Sequence, residues 1–200
     1  MPMVSDPGEM VEWLAEKAPD TLERRVTVVP VKGNLGMYDE GVQAFASNGN
    51  VHSGLGRPGI PGGPVLAYFP DIKLLADAVA MADGQPLGVI EFFAGDVAGW
   101  AAATNAINLD TGEPTPGVPA DIHAALVELR DAGYDGFHKD RESYFARRYF
   151  PPIDKLLAAG YPYKFVAGYL VALGIQGKNA DEYLKRIYVP PSKRRRPGRF

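Results

Sequence analysis

The sequence predicts an α/β protein in which a short parallel sheet with flanking helices, a Rossmann-like βαβ unit, precedes an α-helical C-terminal module. Two observations lead to this class. Residues 64–107 alternate between short apolar runs and amphipathic stretches, in the order strand, helix, strand, helix, and this order favours parallel strands joined by right-handed crossovers. After a proline-rich connector at 114–119, the remaining patterned segments are all helical.

The clearest unit lies between the apolar strands predicted at 64–69 and 87–93. Residues 71–83 between them place their apolar side chains on one helical stripe, and Asp71 is positioned to cap that helix. Strands that are apolar throughout are typical of sheets covered on both faces. Asp96 is positioned to cap a further helix that runs through 100–107.

Other elements surround this unit. A helix is predicted from Pro7 to Pro19 and a β-branched strand at 25–31. Residues 33–63 contain nine glycines and no sustained periodicity, which predicts a long loop of a kind that is usually functional or disordered. In the C-terminal part, Pro151-Pro152 is expected to interrupt the chain, and the predicted helices are 120–132, 139–149, 152–159, 163–173 and 180–188.

These elements divide the chain into an acidic α/β unit (1–113), a basic helical module (114–188) and a flexible basic tail (189–200). Cysteine is absent from the sequence, which excludes disulfides, thiolate zinc sites and cysteine nucleophiles. The N-terminus lacks the features of a signal peptide, and the longest apolar runs are too short to span a bilayer. We therefore expect a cytoplasmic protein with no membrane partner, and the composition favours a bacterial or phage source.

Charge is distributed unevenly along the chain. Residues 139–200, called here the basic end, hold 14 of the 21 lysines and arginines but 5 of the 24 acids, a net charge of +9, which leaves −12 on residues 1–138. An asymmetry of this size indicates a polyanionic partner. Two alternatives stay open: the two parts neutralise each other within one fold, or acidic and basic surfaces pair between subunits of a homo-oligomer or assembly protein.

Residues 156–170 carry an apolar helix end, a glycine turn, and a second helix with Val166, Ala167 and Leu170 on its inner face. This segment resembles the first half of the helix-turn-helix units of bacterial and phage DNA-binding proteins. The resemblance implies DNA binding, with 179–186 in the position of the recognition helix. That segment departs from the pattern because Asp181 and Glu182 would oppose phosphates. An ordinary helical hairpin is the alternative.

Nucleic-acid binding does not depend on that motif, because cations and aromatic side chains alternate along the basic end. Cations contact phosphates and aromatic rings contact bases, which is typical of sequence-tolerant binding surfaces. We expect a DNA-associated regulatory or accessory factor, with RNA as the less favoured partner. The predicted contact residues are Lys139, Arg141, Arg147, Arg148, Lys164, Lys193, Arg194, Arg195 and Arg196.

The alternative function is a metal-dependent enzyme that acts on a phosphate-bearing substrate. Asp71 and Glu91 lie at or near the carboxyl ends of two predicted strands that should be neighbours, and ligands gather at that edge of open α/β sheets. His52, in the glycine-rich segment, would act from a loop that closes over the site. The sequence assigns no cofactor and no definite metal site. Residues 54–59 match the spacing G-x-G-x-x-G, but the prolines at 58 and 61 oppose the helix that a dinucleotide site requires.

Overall fold

The computed structural model describes residues 7–56, 59–133, 136–137 and 146–194. Its sheet has four parallel strands in the order β2-β1-β3-β4. The strands are β1 (Val26–Val28), β2 (Val51–His52), β3 (Val65–Tyr68) and β4 (Leu87–Ile90). Helices cover both faces of this sheet and several more follow it, which confirms the predicted fold class.

Helices cover the sheet as the apolar pattern of its strands requires. Asp71 caps α3 as predicted, since its Oδ1 accepts a hydrogen bond from Leu74 N at 2.8 Å. The helices are α1 (Pro7–Lys17), α2 (Glu40–Phe45), α3 (Ile72–Ala82), α4 (Ala98–Thr104), α5 (Ala120–Ala132), α6 (Ala146–Ala158), α7 (Tyr163–Ala172) and α8 (Leu184–Ile187), with a π-helical turn at Asn179–Tyr183 before α8.

The two faces of the sheet bury separate sets of side chains. On one face, Leu66 of β3 packs with Leu14 of α1 and Phe45 of α2. On the other face, Val65 and Ala67 belong to a larger cluster that includes α3, α4 and α7 and extends to α5 and α6. Successive side chains of a strand point to opposite faces, so an apolar strand such as β3 contributes to both clusters.

The two crossovers lie on opposite faces of the sheet. The connection from β1 to β2 includes α2 on the first face, whereas the connection from β3 to β4 is α3 on the second face. The strand order therefore reverses between β1 and β3, and open α/β sheets usually bind ligands at the carboxyl ends of the strands at such a point. The cleft described below lies at the same edge but one strand further along, after β3 and β4.

Helix α7 crosses α4 at very short range. A Cβ atom built on Gly99 of α4 would lie 1.8 Å from Phe165 O, and one built on Gly168 of α7 would lie 3.1 Å from Trp100 N. Val166, Ala167 and Leu170 point inward, as predicted. Helix α7 packs chiefly against α4 and α3, while α6 packs chiefly against α5. Ala167 and Gly168 therefore allow the close contact of α7 with α4.

The glycine-rich segment 33–63 differs from the predicted loop. It contains a 3₁₀ helix over Lys32–Met37, then α2, and then the two-residue strand β2. Asp39 caps α2 by accepting a hydrogen bond from Gly41 N at 2.7 Å. His52 consequently ends a strand rather than lying in an open loop.

The prediction that Pro151-Pro152 interrupts the chain is wrong, because both prolines lie inside α6. Each proline removes one backbone hydrogen bond, but both fall within the first two turns of the described helix. Tyr149, Ile153 and Leu156 are fully buried on the same helix, and their burial offsets the lost bonds. The part of the predicted helix at 139–145 lies outside the described residues.

Two local expectations also differ from the structure. Asp96 does not cap α4; its Oδ2 accepts a hydrogen bond from Phe93 N at 3.2 Å. The first residues of the predicted tail are ordered by contacts: Pro191–Lys193 forms a 3₁₀ turn, and Arg194 Nη1 donates to Asp154 Oδ2 at 3.0 Å. Residues 195–200 lie outside the described part of the chain.

Candidate functional site

A cleft of about 490 Å³ lies at the carboxyl edge of the sheet, where the α/β part meets the basic end. The loops after β3 and β4 form one wall, and α7 together with the segment before α8 forms the other. We call it the sheet-edge cleft. Its lining residues are Phe69, Pro70, Asp71, Ile72, Phe92, Phe93 and Asp96 on the first wall, and Tyr163, Lys164, Asp181 and Lys185 on the second.

Phenylalanine rings dominate the first wall. Phe92 and Phe93 are 62% and 65% exposed, and their rings form an edge-to-face pair with centroids 4.5 Å apart. Phe69 contacts Phe92 at 5.0 Å, and its φ of +52° is a left-handed backbone conformation that bulky residues seldom adopt. Backbone strain and adjacent exposed apolar rings are both features that cluster at binding sites.

The second wall supplies cations held near tyrosine rings. Lys164 Nζ lies 2.8 Å from Asp96 Oδ1, and Lys185 Nζ lies 5.9 Å from the ring centroid of Tyr163. The Tyr163 hydroxyl donates to Asp181 O at 2.6 Å and also contacts Ala180 O at 2.8 Å. Burial, and secondarily the charge of Asp181, raises the pKa of Tyr163, so this phenol stays neutral and holds the ring in place.

A second tyrosine, Tyr183 in the turn before α8, is flanked by two further cations. Lys178 Nζ and the Arg186 guanidinium lie 5.8 Å and 5.7 Å from the ring centroid of Tyr183, and both cations are exposed. Cations at this distance from an aromatic ring are attracted by its quadrupole. We call this set the cation–aromatic band: Lys164, Lys178, Lys185 and Arg186 with Tyr163 and Tyr183.

Asp71, His52 and Glu91 are not brought together. Asp71 lines the sheet-edge cleft while it caps α3. His52, at the end of the outer strand β2, lines a separate hollow, and its Nε2 lies 2.8 Å from Asp77 Oδ2 of α3. Among the residues that the structure describes, no group of three histidine, aspartate or glutamate side chains is placed to hold a metal ion.

Glu91 has a structural role that the sequence did not reveal. Its side chain is 7% exposed, and its Oε2 accepts hydrogen bonds from Gly95 N at 3.1 Å and Val97 N at 3.2 Å, in the turn that leads into α4. Its Oε1 is buried and has no hydrogen-bond partner among the described residues. Burial raises the pKa of this carboxyl, and the backbone N–H donors oppose that shift only in part.

The predicted nucleic-acid residues are widely spaced. Lys164 lies in the sheet-edge cleft, Arg148 is exposed beside the acids of α5, and Lys193 is exposed on the 3₁₀ turn. Arg194 is largely buried: besides its ion pair with Asp154, its guanidinium lies 4.1 Å from the ring centroid of Phe150. The structure does not describe the side chains of Lys139, Arg141, Arg147, Arg195 and Arg196.

Some of the charge asymmetry is neutralised within the chain. Two ion pairs join cations of the basic end to acids of residues 1–138: Lys155 with Asp121 at 3.1 Å, and Lys164 with Asp96 at 2.8 Å. In the opposite sense, Lys73 lies 2.8 Å from Glu182 and 3.7 Å from Asp181. Several aromatic residues of the basic end are also buried, among them Tyr149 and Tyr169. Some cations and aromatic rings of the basic end are therefore engaged within the fold itself.

Sequence reasoning missed Phe92, Phe93, Lys185 and Tyr183. A signal was present, because two phenylalanines at the carboxyl end of a predicted parallel strand are placed at the ligand edge of the sheet. Within the described ranges, no helix combines the length and the apolar character needed to cross a bilayer. Comparison with protein-family models, curated proteins and solved structures finds no match to this chain.

Proposed function

We propose that the protein binds nucleic acid, with DNA as the first candidate partner, through the cation–aromatic band of its basic end. The observation that carries this proposal is that three cations of one short segment, Lys178, Lys185 and Arg186, lie against tyrosine rings: Tyr163 of α7 and Tyr183 of the segment itself. Cations beside aromatic rings suit a chain of phosphates and bases. No carboxylate lies within ion-pair distance of these three cations in the described part of the chain.

The ion pairs of the basic end do not prevent this function. Lys155 and Lys164 are paired with carboxylates, but both lysines are about half exposed or more. Exposed ion pairs contribute only about 0–1 kcal/mol, so a phosphate can replace the carboxylate at little cost. The cations at 193–196 would add an electrostatic contribution to the affinity for nucleic acid.

The direct test is fluorescence anisotropy of labelled single-stranded DNA, double-stranded DNA and single-stranded RNA across a salt series. The test variant is Lys178→Gln with Arg186→Gln, and the matched control is Lys17→Gln with Lys32→Gln, which removes two exposed lysines outside the basic end. We expect the test variant to lose about tenfold in affinity and to flatten the log–log salt slope by about 1.4 for a single strand and about 1.8 for a duplex, because each phosphate contact contributes about 0.7 or 0.9.

The control pair should retain the wild-type slope. A chain that ends at Arg194 tests the tail separately, because it removes Arg195 and Arg196 and keeps the contact of Arg194 with Asp154. The proposal fails if no nucleic acid binds at low salt, or if the control pair and the test pair change the slope equally.

A further inference from the structure

We propose that the sheet-edge cleft receives one unpaired nucleobase, stacked on the ring of Phe92 or Phe93, with the adjoining phosphate at Lys185 and Lys164 on the rim. This inference rests on the proposed function and names the place where the nucleic acid is recognised. The cleft volume of about 490 Å³ lies inside the range of roughly 300–1,000 Å³ that is typical of ligand pockets.

The phenylalanine rings form a stacking platform. Both are more than half exposed, yet the edge-to-face contact between them and the contact with Phe69 restrict their orientation. They follow β4 directly, so a rigid strand end positions them. Every base presents a π face, and stacking on an exposed aromatic side chain is a general way of binding unpaired strands. A paired base inside a duplex cannot reach such a platform.

The charges around the cleft determine which part of a nucleotide enters it. Asp96 and Asp181 line the cleft with side chains that are 23% and 34% exposed, less than that of Lys164, and they would repel a phosphate from the deeper part. Lys185 lies over the Tyr163 ring without a carboxylate within ion-pair distance in the described chain, and Lys164 is 66% exposed. The arrangement therefore favours a neutral ring inside and an anion at the lysine rim.

The band continues from this rim along the chain. Lys185 precedes Arg186, which with Lys178 flanks Tyr183. A strand that places one base in the cleft would thus pass its next phosphates along the band. This continuity distinguishes a single strand from a free nucleotide, for which the outer cations would be too distant to matter.

The experiment compares the affinities of an eight-nucleotide DNA strand and its fully abasic counterpart. Both carry the same phosphates, and only one carries bases. We expect wild-type protein to bind the intact strand about five- to a hundredfold more tightly than the abasic strand, the range that stacking contributes. Phe92→Leu with Phe93→Leu should bind both strands with equal affinity, while Phe92→Trp should keep the preference because indole also stacks.

Two further variants complete the design. Leu55→Ala removes an exposed apolar side chain outside the cleft and should keep the preference. Lys185→Gln should lower the affinity for both strands by the same factor. If wild-type protein binds both strands equally, or the phenylalanine pair can be replaced without losing the preference, the inference is wrong although nucleic-acid binding stands. If neither strand binds, the proposed function itself fails.

Discussion

The crossing of α4 and α7 gives the sharpest test of the fold, through the single substitution Gly99→Ala. The added Cβ would lie 1.8 Å from Phe165 O, 2.7 Å from Phe165 C and 2.9 Å from Tyr169 N. All three atoms are backbone, so no side chain can rotate away to make room. Helix α7 must shift as a unit, and α7 carries Val166 and Leu170 into the main cluster.

The expected loss follows from two opposing effects. Alanine in an open helix position is more favourable than glycine by about 0.5–1 kcal/mol. Overpacking of a close contact typically costs about 1–3 kcal/mol, and occasionally more. A separation of 1.8 Å between a carbon and a backbone oxygen belongs at the upper end of this overpacking range. We therefore expect a net destabilisation of about 2–3 kcal/mol. For a chain of this length, that corresponds to a fall in Tm of about 4–12 °C.

The measurement is thermal and urea unfolding followed by far-UV circular dichroism. The matched control is Gly36→Ala, because a Cβ at Gly36 has no atom within 4 Å and its φ is not left-handed. The control should unfold within about 2 °C of wild type or slightly above it. Gly168→Ala should lose less stability than Gly99→Ala, because its added Cβ would lie 3.1 Å from the nearest atom. A Gly99→Ala protein as stable as wild type would refute the close crossing.

Four further substitutions test individual contacts. Thr27→Val removes a fully buried hydroxyl without a described hydrogen-bond partner. The free energy of unfolding measured in urea should therefore increase by about 1 kcal/mol. The pKa of Glu91 is raised in the folded protein, so the wild type loses stability as pH rises from below 4.5 through the folded-state pKa. The free energy of unfolding of Glu91→Gln in urea, relative to wild type, should therefore increase from pH 4 to pH 7. A difference that stays constant with pH would contradict this assignment. Asp96→Asn releases Lys164 from its ion pair, and DNA affinity in the anisotropy assay should rise about two- to fivefold. Arg194→Gln removes a largely buried guanidinium, and Tm should fall by about 2–6 °C, whereas Lys193→Gln should leave it unchanged.

The sequence was most informative where its signals are local. The strand, helix and strand predicted at 64–69, 71–83 and 87–93 appear as β3, α3 and β4, and no end is shifted by more than three residues. Asp71 caps α3 because a cap depends only on the next few residues along the chain.

Signals that depend on distant partners were not predictable. Strand β2 has two residues, too few for any pattern, and it exists because Thr27 and Val28 of β1 pair with it. The prolines of α6 are tolerated because the helix buries Ile153 and Leu156 against the rest of the molecule, and tertiary packing of this kind overrides local propensity.

The candidate site shows the same division. The sequence places Asp71 at the sheet edge because only Phe69 and Pro70 separate it from β3. The two phenylalanines fall inside the strand predicted at 87–93, whereas β4 ends at Ile90, just before Glu91. Glu91 was considered functional because its hydrogen-bond donors, four and six residues further on, lie in a turn whose path the sequence does not fix.

The number of cations in the cation–aromatic band sets the expected salt dependence of nucleic-acid binding. If the four cations of the cation–aromatic band are the contacts, the log–log salt slope for a single strand should be about −3, since each phosphate neutralised contributes about 0.7. The net charge of +9 on the basic end would suggest a much steeper slope. A slope near −3 would assign recognition to the band and the cleft, because affinity would then depend largely on stacking. A slope well beyond −5 would mean that cations outside the band also contact phosphates.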